Sequence, residues 1–402
     1  MECMERVYDV MAAGHLCLDV IPRIPDTGAD RIENLLRPGK LVNIGEAAMG
    51  TGGSVSNTGR SMQRLGANVC YCARVGGDAF GRITMDILRA AGNPDGIRVV
   101  EDAASSYTIV VAPPRIDRIF LHNTGTNDAF GAEDVDAKLL AQCRLFHFGY
   151  PTLMRRMFES DGEELRRLFQ TAKFAGASTS LDVTLPDPSS DSGKANWREI
   201  FKKTLPYVDI FLPSVEEVYY MLYPDEFLRK KEEHRGAELI DFITREDLDR
   251  LSGELLSMGV RIAAIKLGPR GFYLRTASEE RLSDMGAGAP TDAKAWANRE
   301  LWAPALAIDE IASANGAGDS AIAGFLTAML KGLSVEDALQ CAVCVGWQNL
   351  HALDAVSGVR SWPETLELCA AGMPTIEPGI PADQGGWTVP GRVWAGPVDQ
   401  RA

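Results

Sequence analysis

The chain has 402 residues, 46% of them hydrophobic and 24% charged, a globular balance that excludes wholesale disorder and suits one large α/β domain or about two smaller ones. The formal net charge is −14 and no Lys/Arg-rich run of the kind that binds polyanions occurs, so nucleic acid is not an expected partner. The longest near-continuous apolar stretch, Ala321–Leu330, falls short of the roughly 20 residues that span a bilayer, so no membrane partner is expected either.

The first residues, MECMERVYDVMAAG, lack a basic segment followed by an apolar core, so no secretory signal is expected there. Val7–Ala12 reads as a first strand. The stretch 22–50 is mixed in character and punctuated by Pro22, Pro25 and Pro38. Val69–Val75 is a second strand-like run, followed by an amphipathic helix over Ala79–Ala91 in which Phe80, Ile83, Ile87 and Leu88 follow a 3.6 period. The stretch 105–125 is again mixed, with Thr108–Ala112 strand-like within it. Leu145–Gly149, Ser180–Thr184, Val208–Leu212 and Ile262–Leu267 are further strand candidates, several apolar on both parities as in strands covered on both faces. Residues 224–249 are highly charged and part of them reads as a solvated helical insertion, and 278–305 as a loop excursion. Helices follow at Ser320–Leu330 and Val335–Val345. Residues 373–402 are rich in Pro and Gly and read as an extended tail after a domain spanning 1–372. Alternating strands and helices argue for a mainly parallel α/β sheet, with 22–50 and 105–125 as ribbons outside it.

The eight cysteines (Cys3, Cys17, Cys70, Cys72, Cys143, Cys341, Cys344, Cys369) are scattered, as free thiols in a reducing cytoplasm would be. Cys341 and Cys344 match C-x-x-C, but they sit in an apolar helix with no second ligand pair at metal spacing. The five histidines form no H-x-x-x-H pattern and read mostly as packing or surface residues.

The strongest local signal is Asn315-Gly316-Ala317-Gly318-Asp319-Ser320, running straight into a helix. Small residues let the backbone turn sharply and present N–H groups, and the helix adds its unpaired donors and the positive end of its dipole, which together make an anion site. A carboxylate there can take a proton from an adjacent hydroxyl, or it can be an ordinary helix cap. Gly316, Gly318 and Ala321 also satisfy G-x-G-x-x-A, but another helix follows where a dinucleotide fold needs a strand ending in an acid, and no P-loop pattern occurs. A second signal is Gly52-Gly53-Ser54-Val55-Ser56-Asn57, glycines leading into a helix that carries an amide. A third is Asp19, just past the first strand, where open α/β sheets bind ligands.

Together these pieces resemble the PfkB/ribokinase family of carbohydrate and nucleoside kinases, from about Val7 to Gly358. One family signature is matched by Gly52, Gly53, Asn57, Leu65, Gly66 and the run Arg74-Val75-Gly76-Gly77-Asp78 with Gly81. The other is matched by Gly316-Ala317-Gly318-Asp319-Ser320 with Ala323, Gly324 and Phe325. Between them fall Leu181-Asp182, Ser214-Val215-Glu216-Glu217 and Lys266-Leu267-Gly268-Pro269-Arg270-Gly271 in the family's order. The resemblance implies a ribokinase-like three-layer α/β sandwich with a small β lid over the substrate, and a kinase using ATP and Mg²⁺ on a small sugar. It implies Asp319 as catalytic base, with Gly316, Ala317 and Gly318 as the anion hole. Asp19, Gly53, Asn57 and Arg118 would bind substrate. Lys266, Gly268, Gly271 and Asn349 would border the nucleotide, and Glu217 would act on magnesium.

The chain departs from the pattern at Ser214, where Asn is usual in the magnesium network. It departs again at Ser313-Ala314-Asn315, where relatives carry a stretch that helps bind potassium, so monovalent-cation activation is not expected. A nucleoside kinase of the same fold and a catalytically silent sugar-binding regulator are the rival readings. An exposed ribbon edge offers a homodimer contact through the lid.

Overall fold

A computed structural model describes residues 6–116, 118–235, 237–377, 379, 386–389 and 391–399. Among the described residues fourteen strands form two sheets. In chain order they are β1 (Tyr8–Gly14), β2 (Cys17–Pro22), β3 (Ala47–Gly52), β4 (Val69–Gly76), β5 (Asn93–Val100), β6 (Tyr107–Val111), β7 (Ile119–Asn123), β8 (Cys143–Gly149), β9 (Ser178–Asp182), β10 (Ile210–Phe211), β11 (Ile262–Lys266), β12 (Phe272–Thr276), β13 (Glu300–Ala303) and β14 (Trp394–Ala395). The large sheet has the order β14-β13-β12-β11-β10-β9-β8-β1-β4-β5. It is parallel from β11 to β5 and antiparallel from β11 to β14. The small sheet has the order β3-β2-β6-β7.

The large sheet is covered on both faces because its strands are apolar on both parities. In β1, Met11 and Ala13 join one core and Val10 and Ala12 the other. Helices Glu163–Phe174, Trp197–Thr204 and Arg245–Ser257 send Leu168, Phe201 and Leu251 into the first core. Helices Ser54–Arg64, Ala317–Leu330 and Val335–Asn349 fill the second with Val55, Phe325 and Leu339. This is the three-layer α/β arrangement that the strand–helix alternation anticipates.

Several segments differ from their sequence reading. Residues 278–305 are not a loop excursion: they hold helices Glu279–Ser283 and Ala293–Trp296 and then β13, with Trp296 and Trp302 buried. The charged stretch 224–249 holds the largely exposed helix Pro224–Glu233, while Phe227, Leu239 and Ile243 are buried. In 22–50 the ribbon lies at the margins: β2 precedes Arg23 and β3 begins at Ala47, with one short helix, Ile32–Leu35, between them. The last segment pairs β14 with β13, buries Trp387, and places Asp399 2.9 Å from Arg299 Nε. Residues 378, 380–385, 390 and 400–402 of that segment, and Cys3, lie outside the described residues. Among the described residues no helix is long and apolar enough to cross a membrane.

Candidate active site

Five neighbouring parallel strands end at one place. β1 delivers His15, β8 delivers Tyr150, β9 ends on Asp182, β10 leads to Ser214, and β11 ends on Lys266. The carboxyl edge of an open α/β sheet is where crossovers leave a crevice. Helix Ala317–Leu330 points its N-terminus into this one.

Gly316 caps that helix at φ 73, a left-handed conformation that glycine adopts without strain, and an added Cβ would lie 2.5 Å from Ala355 Cβ. The turn does not present every N–H that its sequence suggests. The Ala317 N–H is held by the Ala314 carbonyl at 3.3 Å, whereas those of Gly316, Gly318 and Asp319 carry no hydrogen bond among the described residues. Three donors at a helix N-terminus make an anion cradle.

Asp319 is 4% exposed. It accepts from Asn57 Nδ2 at 3.1 Å, from Thr58 Oγ1 at 3.3 Å, and from the Tyr150 hydroxyl at 2.8 Å to both carboxylate oxygens. Tyr150 reaches it because the chain leaves β8 through a left-handed residue, φ 63 and ψ 45 at Tyr150 itself. Asn57 and Thr58 reach it because Gly53, at φ 84, turns β3 sharply into helix Ser54–Arg64. A Cβ at Gly53 would meet the His15 backbone oxygen at 2.5 Å.

Lys266 Nζ donates to Asp182 Oδ1 at 2.7 Å, and the lysine chain runs under Gly318. Burial raises the carboxyls of Asp182, Glu217 and Asp319 above the usual carboxylate range, and the Lys266 ammonium opposes the shift at each. Burial by itself would lower Lys266; Asp182 and Glu217 outweigh it and hold the ammonium charged. The buried carboxyls of Asp182 and Asp319 and the half-buried one of Glu217 thus share one ammonium, and Asp182 Oδ2 is buried without a hydrogen-bond partner among the described residues. Glu217 and Ser214 form a capping box, Glu217 accepting the Ser214 N–H at 2.5 Å and Ser214 Oγ accepting the Glu217 N–H at 3.3 Å. Serine at 214 therefore caps the helix that carries Glu217.

On one side of Asp319 opens a cavity of about 610 Å³. Its wall includes Glu217, Lys266, Gly268, Gly271, Trp347 and the Gly316–Asp319 turn. Asn349 is not on that wall: it is fully buried and donates to the Asn315 carbonyl at 2.7 Å, bracing the turn from behind. Arg118 stands just before β7 and reaches across to Ser313 Oγ at 3.0 Å, so it joins the small sheet to the segment preceding Gly316.

On the other side lie the ends of β1 and β2 and the small sheet. Asp19 pairs in register with Gly50 and Thr108, and the Cys17 thiol donates to it at 3.4 Å. Burial raises its carboxyl. Asn57 Oδ1 is buried and without a hydrogen-bond partner among the described residues. His15 and His122 face each other with Nε2 atoms 3.3 Å apart.

Sequence motifs point to Asp319, Asn57, Glu217 and Lys266, and the fold brings all four together. Tyr150, Thr58, His15 and His122 belong to no motif. Tyr150 meets Asp319 across 169 residues and His15 meets His122 across 107, separations at which no local spacing rule operates. Asp182 is visible in the sequence only as an acid closing a strand. Cys341 and Cys344 are buried thiols of one helix, with Cys369 Sγ 4.0 Å from Cys341 Sγ.

Residues 9–358 match the model of the pfkB family of carbohydrate kinases. An uncharacterized sugar kinase from Archaeoglobus fulgidus is 22% identical over 276 residues, covering 69% of this chain and 88% of the relative. The ATP-dependent ribose-1-phosphate kinase of Halopiger xanaduensis is 24% identical over 367 residues, covering 90% and 97%. The crystal structure of a putative ribokinase II from E. coli in complex with ATP and Mg²⁺ superposes with a TM-score of 0.67 at 19% identity, covering 91% of this chain and all of that one. With its two sheets, its strand-end crevice and a family match that spans most of its length, the chain belongs to the pfkB family of carbohydrate kinases, phosphotransferases that act on sugar hydroxyls.

Proposed function

We propose that this kinase moves the γ-phosphoryl group of ATP to a hydroxyl of a small polyol sugar, with Asp319 as the base. The observation that carries the reading is the position of Asp319. It is buried at a helix start with free N–H groups beside it, a 610 Å³ cavity on one side and the polar ends of β1 and β2 on the other.

The residues fit the nucleotide and its metal. The cavity has the size of a small-molecule site. Oxygen ligands suit a hard cation, and the unpartnered Asp182 oxygen with Glu217 beside it forms such a set. Magnesium held there supplies charge neutralisation at the transferring phosphates. The Lys266 ammonium opposes the burial that raises the surrounding carboxyls, and so favours the charged forms that a cation needs. Gly268 and Gly271 leave the cavity wall without side chains.

Asp319 holds the acceptor hydroxyl and takes its proton as the new O–P bond forms and the bond to the leaving phosphate breaks. The N–H groups of Gly316, Gly318 and Asp319 face the transferred group throughout, so they stabilise charge without reorganising. Asp19 and the free Asn57 Oδ1 bind further hydroxyls. The small sheet acts as a lid, and Arg118 ties its position to the phosphate-binding turn through Ser313.

A nucleoside acceptor would require an apolar slot for its base. The side chains gathered on the acceptor side, His15, Cys17, Asp19, Asn57, Thr108 and His122, are mostly polar, which favours a compact polyol. A silent binding protein would have no use for a carboxylate hydrogen-bonded by Asn57, Thr58 and Tyr150 next to unpaired N–H groups. ADP release from ATP and Mg²⁺ across a panel of sugars and nucleosides tests the reading. Turnover should appear with small sugars. Turnover with nucleosides alone, or ATP binding with no turnover on any acceptor, overturns it.

Exposed Phe120 and Leu121 on edge strand β7 further support a homodimer through the small sheet. Sedimentation at micromolar concentration should give a dimer, and the double change of Phe120 and Leu121 to Ser should give a monomer. A monomeric native chain contradicts the contact.

A further inference from the structure

The imidazoles of His15 and His122 and the thiol of Cys17 meet where the small sheet crosses the end of β1, a cluster that phosphoryl transfer does not require. Each contributes one ligand atom, and the three atoms lie within 4.8 Å of one another. We propose that His15, Cys17 and His122 form a binding site for Zn²⁺.

The spacing of the two imidazoles suits the ion. Their Nε2 atoms are 3.3 Å apart. Two nitrogens bound to one tetrahedral zinc at about 2.0–2.1 Å are separated by about 3.3 Å. A hydrogen bond between the same rings accounts for that spacing only if one ring donates, and a zinc ion would replace that single proton.

The outer contacts orient the ligands. Thr108 Oγ1 lies 3.0 Å from His122 Nδ1 and 3.6 Å from Cys17 Sγ. When its one hydroxyl hydrogen goes to the sulfur it accepts the Nδ1–H of His122, the tautomer that leaves the Nε2 lone pair bare for a metal. One hydroxyl thereby orients two of the three ligands, as the outer partners of metal sites do. His15 Nδ1 is buried and has no hydrogen-bond partner among the described residues, so only the bond to His122 Nε2, which a zinc ion would replace, holds the proton of that ring on Nε2. Moving it to Nδ1 frees the second lone pair.

The electrostatics of the cluster agree. Burial holds His15 neutral, its pKa down to about 3, with His122 adding to the shift. Burial also keeps the Cys17 thiol protonated in the metal-free protein, with Asp19 reinforcing it. Zinc binding deprotonates a coordinating thiol outright, the proton leaving to solvent, and the nearby Asp19 carboxyl favours the added positive charge. With three protein ligands the ion keeps a fourth position for water or a substrate oxygen. Because His122 belongs to β7 and His15 follows β1, the ion would also fasten the small sheet to the large one.

Titrating the metal-free chain with Co²⁺, in the absence of nucleotide and sugar, tests this separately from kinase activity. One equivalent should give a thiolate-to-cobalt charge-transfer band and tetrahedral d–d bands, both removed by Zn²⁺. Cys17→Ser should abolish the charge-transfer band, and His122→Ala should weaken binding by more than about 100-fold, beyond the 10–100-fold typical of losing an outer partner. Thr108→Val should fall within that smaller range. His122 is solvent-accessible, so its variant should melt like the native chain and decides the matter even if His15→Ala misfolds. Absence of these bands in the native chain overturns the proposal. So does their persistence in both Cys17→Ser and His122→Ala, which would move the ion to another group such as Cys341, Cys344 and Cys369.

Discussion

Tyr150 is the residue that most changes the picture of the base. Its hydroxyl donates to both oxygens of Asp319, at 2.8 Å each, and so favours the charged form against the burial that raises the Asp319 pKa. Removing the phenol removes a stabiliser of the carboxylate, so the pKa of Asp319 rises further and less base is ionised at a given pH. Tyr150→Phe should therefore move the acidic limb of the kcat/KM profile to higher pH while the plateau rate changes by less than about tenfold, since the base itself remains. A profile that superposes on the native one would show that the contact does not tune the base. Asp319 and Asn57 are legible in the sequence because a short motif carries each of them. Tyr150 is not, because its role arises from one left-handed residue at a strand end and a partner far along the chain.

At the scale of elements, the Gly316 turn leaves no room for a side chain. A Cβ there would press on Ala355 Cβ at 2.5 Å and on the Ala355 carbonyl oxygen at 2.6 Å, and a side chain at φ 73 costs roughly 1–2 kcal/mol more. Gly316→Ala should shift the turn and misdirect the neighbouring N–H groups. The loss of kcat should be about 10²–10³-fold, the scale of removing one preorganised donor, while the melting temperature falls only a few degrees. Steady-state kinetics beside thermal melting reads both; unchanged kcat would mean that the turn does not hold the transferred group. This turn and most of the parallel strands are legible in the sequence, since both depend on local composition. The segment 278–305 is not, because β13 is only four residues, too short for an alternation to register, and two buried tryptophans stand among alanines and charges. β10, at two residues, is shorter than the strand candidate Val208–Leu212, because Val208 still caps the turn Leu205–Tyr207 and Pro213 has no N–H to donate to a ladder.

At the scale of the whole molecule, the end of the chain completes the large sheet. β14 pairs with β13, Trp387 packs against Trp302, and Asp399 accepts from Arg299 Nε and from the Glu300 N–H. Composition hides this, because Pro and Gly also dominate segments that pack by single anchors. Asp399→Ala leaves the Arg299 guanidinium, 7% exposed, with Glu336 as its remaining acid. Breaking a buried pair costs about 3–5 kcal/mol, and Glu336 holds the loss to the lower end. Denaturant unfolding should register it; a loss under about 0.5 kcal/mol would mean the segment is not part of the cooperative unit.

One carboxylate, placed between a nucleotide cavity and a polyol site, carries the proposed chemistry of the whole molecule. Asp319→Asn keeps the shape and the neighbours of that side chain and removes its basicity. Turnover of the best sugar found in the panel, together with ATP binding to the same protein, is the most direct test. The kcat should fall by at least about 10²–10⁴-fold while ATP affinity stays within a few-fold of native. Near-native kcat in the Asn variant would contradict the role of Asp319 as base and leave it as nothing more than the cap of its helix.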